Sequence, residues 1–136
     1  MKDIYNFLYY HNKLSSSGMP TVEQLKSVAE AGVEVVINLA TSKSEGAISN
    51  EGELVNGLGM EYIHIPVDWD NPTKEDLDNY LSAMDKYYGE SILVHCQANY
   101  RGENTAQFLR RGYIIWSGYT GRMYPFQGVL MPYGLT

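Results

Sequence analysis

Three residues in one short stretch have the chemistry for a joint task. Cys96, the only cysteine in the chain, directly follows His95 and stands five residues before Arg101. The stretch from Ile92 to Arg101 opens as an apolar run and turns polar at the cysteine. A buried strand, a polar turn and a helix-competent segment together make a strand–loop–helix anion site. In such a site, backbone N–H groups and a helix N-terminus converge on one spot. A thiolate there is stabilised by the same field, with a pKa expected in the range of about 3.5–7.5 rather than about 8.5. Arg101 supplies a permanently charged fork for a tetrahedral oxyanion. Gln97, Ala98, Asn99, Tyr100 and Gly102 supply the surrounding loop. Thiolate plus oxyanion cradle is the chemistry of phosphoryl or sulfane-sulfur transfer. The same residues also admit a plainer reading, in which Cys96 is a buried strand-end thiol behaving as a small hydrophobe.

The elements that must position this stretch follow from periodicity and end signals. Ile4 to Tyr10 is aromatic-rich and reads as a first strand at a sheet edge. Leu14 to Pro20 reads as a Ser/Gly/Pro loop. Thr21 caps a helix, with Gln24 at the capping-box position and Gly32 as its stop. Val22, Leu25, Val28 and Ala29 fall on one face of that helix. Val33 to Ala40 reads as a fully buried strand in which Asn38 ties down a neighbouring loop. A short helix from Asn50 or Glu51 to Leu58 follows, weakened by Gly52 and Gly57. Met60 to Val67 alternates as a strand, with Pro66 at its end. Thr73, with Asp76 three residues on, caps a helix whose stripe is Leu77, Tyr80, Leu81, Met84 and Tyr88. Gly89 ends it, and Ser91 to His95 is the strand that delivers Cys96. Alternating strands and helices predict an α/β fold, a single domain with a central, mostly parallel sheet flanked by helices on both faces. Ligands then bind beyond the carboxyl ends of the strands, where Cys96 and Asp68 both fall.

At 136 residues the chain makes one domain, 1–136, that needs no disulfide staples. One cysteine excludes an internal disulfide, and the sequence has neither a Cys-x-x-Cys pair nor clustered histidines for zinc. A formal charge of −6 disfavours a nucleic-acid partner, and no segment approaches the roughly 18 apolar residues of a membrane span. The N-terminus has no signal-peptide pattern, so the residues present suit a cytoplasmic protein, or a periplasmic one whose signal has been removed. All 16 acidic residues lie at or before Glu103, and residues 112–136 form an atypical Gly/Tyr-rich tail. A helix from about 102 is expected to stop by Gly112, leaving 113–136 as irregular aromatic cover. Oligomeric state is not legible.

His95-Cys96-x4-Arg101 is similar to the cysteine-phosphatase loop, His-Cys-x5-Arg-Ser/Thr, and also looks like the rhodanese loop, which shares the shorter count. The wider order is more specific. Ser15 to Thr21, Val35 to Leu39, His64 to Trp69 and Val94 to Arg101 together resemble bacterial dual-specificity-phosphatase-like proteins, related to a domain fused to β-lactamase-like hydrolases. That resemblance spans roughly residues 14 to 101.

The resemblance implies a cysteine-phosphatase-like fold and hydrolysis of phosphate monoesters through a phosphocysteine intermediate. It casts Cys96 as nucleophile, Arg101 and the loop amides as the oxyanion cradle, His95 as a supporting residue and Asp68 as general acid, with Asp70 as a rival. No cofactor or metal is expected, because Arg101 and the amides carry the charge stabilisation. Trp69 and His64 read as structural, and His11 carries no message. The loop is one residue shorter than the phosphatase standard. Arg101 is followed by Gly102 and Glu103, without the usual hydroxyl. Two alternatives stay open: a sulfurtransferase carrying a persulfide on Cys96, and a non-catalytic module that binds phosphate or sulfate esters.

Overall fold

The computed structural model of the chain describes residues 3–4, 7–11, 13–41, 43, 46–67 and 73–96. Among these, five strands and three helices are laid out as β1 (Leu8–His11), β2 (Leu14–Ser17), α1 (Val22–Glu30), β3 (Val35–Asn38), α2 (Glu51–Gly57), β4 (Glu61–His64), α3 (Lys74–Lys86) and β5 (Ile92–His95). The strands form one sheet in the order β1-β2-β5-β3-β4, with β1 antiparallel to β2 and every other pairing parallel. The expected α/β architecture is therefore present.

The order of the strands decides where the helices lie. From β2 the chain steps outward to β3 and β4, then turns back to place β5 between β2 and β3. Right-handed crossovers put connections running in opposite directions on opposite faces. Accordingly Leu25 and Val28 of α1 and Val55 of α2 share one apolar cluster with Val36 and Leu93. Tyr80, Ala83 and Met84 of α3 share the other with Val35, Ile37, Ile92 and Val94. Adjacent residues of β3 and β5 feed different clusters, as side chains that alternate across a strand must.

Both long helices begin as their sequences require. Thr21 and Gln24 close a full capping box on α1, and Thr73 and Asp76 do the same on α3. Such caps satisfy N–H groups that the first turn would otherwise leave open. Past their ends, Gly32 and Gly89 adopt φ of 92° and 94°. These are left-handed values that a Cβ would strain.

Four expectations need correcting. Leu14 to Ser17 is a strand, not the start of a loop, and it pairs with β5 along its whole length. Its serines are buried because backbone pairing on both sides satisfies the main chain, while their small side chains fit between layers. Ser17 returns its hydroxyl to the Gly18 carbonyl at 2.9 Å. The first strand begins at Leu8 rather than Ile4, and Ile4 instead packs into the α1 cluster. The strand expected over Met60 to Val67 is regular only from Glu61 to His64. Tyr88 lies outside α3, which ends at Lys86, and is exposed rather than part of the buried stripe.

Candidate active site

Cys96 is the first residue beyond β5, 4% exposed and part of the apolar cluster under α3. Its N–H donates to the Ser17 carbonyl at 3.2 Å, and the His95 carbonyl accepts from Leu39 N–H at 2.7 Å. On the far side of β3, the Leu39 carbonyl accepts from Val67 N–H at 3.2 Å. These bonds carry the ladder past the regular strands and align the carboxyl ends of β2, β5, β3 and β4 on one edge. Val67, the residue before Asp68, stands on that edge with only β3 between it and the Cys96 strand.

Of the expected site, the structure places Cys96 and the supporting His95. Asp68, Gln97, Ala98, Asn99, Tyr100, Arg101 and Gly102 lie outside the described residues, as do the rival Asp70, Trp69 and the helix and tail expected after residue 102. Among the described residues, no three His, Cys, Asp or Glu side chains gather as a metal set would.

His95 is 1% exposed and alternates with Val94, so it shares the sheet face of Leu93, toward α1 and α2. There its Nε2 donates to Glu51 Oε2 at 2.6 Å. Glu51 is the first residue of α2 and is itself buried. The Nδ1 of His95 faces the Cys96 carbonyl oxygen at 3.4 Å. Glu51 Oε1 has no hydrogen-bond partner among the described residues.

A second polar set shapes the chain just beyond β3. Asn38 Oδ1 accepts from Ala40 N–H at 2.8 Å, and Asn38 Nδ2 donates to the Tyr62 hydroxyl at 3.0 Å. His64 Nε2 donates to the Ala40 carbonyl at 2.6 Å, in keeping with its structural reading. Burial pushes the Tyr62 phenol above its ordinary pKa. The Asn38 hydrogen bond pulls it down, and the negative charge of Glu51 adds to the rise. Sequence reasoning saw Asn38 as a loop tie but missed Glu51 and Tyr62. In the sequence Glu51 stood only as one of two possible starts of a short helix.

A parallel sheet flanked by helices, with His-Cys at its carboxyl edge, is the frame of the cysteine-dependent phosphatases. Residues 12–118 match the family described as "Polymorphic toxin system, DSP-PTPase phosphatase", and the chain belongs to that family. A candidate phosphatase of Shewanella putrefaciens CN-32 is 38% identical, with 96% of this chain and 78% of that one covered at a TM-score of 0.78. Two more distant structures agree in fold. Tk-PTP in its active form is 21% identical over 86% of this chain and 76% of its own, with a TM-score of 0.63. TpbA of P. aeruginosa is 16% identical over 84% and 66%, with a TM-score of 0.64. No curated protein matches the chain. The chain is thus a phosphatase of the DSP-PTPase family, a phosphoric monoester hydrolase, and neither sulfur transfer nor non-catalytic binding is favoured.

Proposed function

We propose that Cys96 is the nucleophile of this phosphatase and attacks the phosphorus of a phosphate monoester, phosphotyrosine-like esters among them. Arg101 and the amides of Gln97, Ala98, Asn99, Tyr100 and Gly102 hold the equatorial oxygens. Asp68 protonates the leaving oxygen. The phosphorus–sulfur bond formed by Cys96 is then broken by water, which Asp68, now a carboxylate, deprotonates; inorganic phosphate leaves and the thiolate returns. On this reading residues 1–136 form one domain, with 112–136 as its Gly/Tyr-rich tail.

The observation that carries the reading is the placement of Cys96, within the family-matched span, at the carboxyl edge of the parallel sheet. Edges of this kind are where open α/β sheets bind ligands. Val67 on the same edge supports Asp68 as the acid, because the next residue starts from there.

Alkylation tests the assignment. Cys96 should react with iodoacetate near pH 6 far faster than an ordinary thiol, with phosphate or vanadate protecting it. Arg101→Ala should abolish the protection, and Cys96→Ser should abolish turnover of p-nitrophenyl phosphate. A thiol titrating near 8.5 without anion protection would overturn it. Sulfur transfer from thiosulfate to cyanide, in place of phosphatase turnover, would return the short loop to a rhodanese-like reading.

A further inference from the structure

We infer that Glu51 is a positioning residue for the Cys96 nucleophile, acting through the buried His95 ring on the backbone that carries the thiol. The inference rests on Cys96 being the nucleophile.

The first ground is geometric. His95 and Cys96 leave the strand on opposite faces, His95 toward α2 and Cys96 toward α3. The ring therefore meets the nucleophile through its main chain, with Nδ1 3.4 Å from the Cys96 carbonyl oxygen. Its other nitrogen is 2.6 Å from Glu51 Oε2. Both ring nitrogens thus face oxygens, and the short bond to Glu51 fixes the plane in which Nδ1 is held beside the Cys96 carbonyl. The arrangement is then a buried carboxyl group, an imidazole ring and the Cys96 backbone in series.

The second ground is that the pair is poorly explained by stability. A buried ion pair is often matched or bettered by apolar side chains of similar volume. This one also leaves Glu51 Oε1 without a hydrogen-bond partner among the described residues.

Among the described residues, one further imidazole lies on this register line, His64 on β4, opposite Asn38, with its Nε2 2.6 Å from the Ala40 carbonyl oxygen. Opposite His95 in the register stand Ser17 on β2 and Asn38 on β3, neither of which titrates near neutrality. From β4, Tyr62 feels the Glu51 charge, but its phenol is raised and stays neutral through the range in which a reactive thiol ionises.

Glu51→Gln keeps the size and an acceptor oxygen but removes the charge. Iodoacetate alkylation across pH should show the Cys96 thiol titrating about half to one unit higher in the variant than in wild type. The acidic limb of the rate profile for p-nitrophenyl phosphate should move with it. A variant that is less stable yet alkylates along the wild-type curve, or titrates lower, overturns the inference and leaves Glu51 a packing residue. Should Glu51→Gln not fold, wild type alone decides. The 15N resonances of the His95 ring should shift through the thiol titration and lose that step once Cys96 is alkylated. Ring resonances indifferent to the thiol overturn the inference. A wild-type thiol titrating like an ordinary cysteine instead defeats the nucleophile assignment itself, so the two failures are distinguishable.

Discussion

The Tyr62 ring occupies the space that a side chain on Gly52 would need: a Cβ there would lie 3.0 Å from Cδ2 and 3.2 Å from Cε2 of the ring. The hydroxyl end of the same ring is held by Asn38 at 3.0 Å. The ring cannot slide away from α2 without stretching that bond. Helix α2, which carries Glu51, is thus seated on β4 through a glycine–tyrosine contact.

This contact separates two glycines of one short helix. Among the described residues, nothing lies within 4 Å of a Cβ built on Gly57. Gly57→Ala should therefore gain about 0.5–1 kcal/mol in urea unfolding from helix propensity and a less flexible unfolded chain. Gly52→Ala should forfeit that gain and lose on the order of 1 kcal/mol to overpacking. An equal gain at both positions would mean that the Tyr62 ring yields freely.

Tyr62 also sets an alkaline limit. Burial, reinforced by Glu51 and opposed by Asn38, raises its pKa in the folded protein. Below about pH 10 the phenol is protonated in both states and its contribution to stability is whole. Above that, the unfolded chain gives up the proton first, and stability falls until the pH passes the folded pKa. The slope cannot exceed about 1.4 kcal/mol per pH unit, and it is less for a half-buried group partly screened by solvent. Urea unfolding of wild type and Tyr62→Phe between pH 8 and 11 should show wild type losing ground to the variant above pH 10. A difference that stays flat would refute the shift.

The role proposed for Asp68 is tested by leaving groups. An aryl phosphate scarcely needs a proton on departure, whereas an alkyl phosphate does. Asp68→Asn should cost about 10²–10⁴ on alkyl esters and less on p-nitrophenyl phosphate. Asp70→Asn should stay within about threefold of wild type, a fraction of a kcal/mol. A large effect at Asp70 with none at Asp68 would move the acid by two residues.

What could be read from the chain was what local chemistry determines. The capping boxes at Thr21 and Thr73 and the stop at Gly32 depend on residues close in the chain and stand where expected, whereas α3 ends at Lys86, three residues before the expected stop at Gly89. The strand into Cys96 was legible as an apolar run bounded by Gly89. Leu14–Ser17 was not, because serine has little strand preference. Its strand conformation comes from being paired on both sides, by β1 and β5, partners that no local window contains. The Glu51–His95 bond was hidden for the same reason. It joins residues 44 apart, and each looked ordinary in its own surroundings.

The strand that delivers Cys96 is the last of the described strands in the chain, yet it sits in the middle of the sheet. A nascent chain that has not reached Ile92 holds a β1–β2 hairpin and a β3–β4 pair with no strand to join them. Each keeps an unpaired edge of backbone donors and acceptors, the kind of edge that recruits other chains. Closure waits for a strand that must pair with residues made far earlier, the slow, non-local step of folding. Completion of the sheet and delivery of Cys96 to its edge are consequently one event. Partly synthesised or C-terminally clipped chains lacking β5 should be inactive and prone to aggregate, with no half-active intermediate on the way.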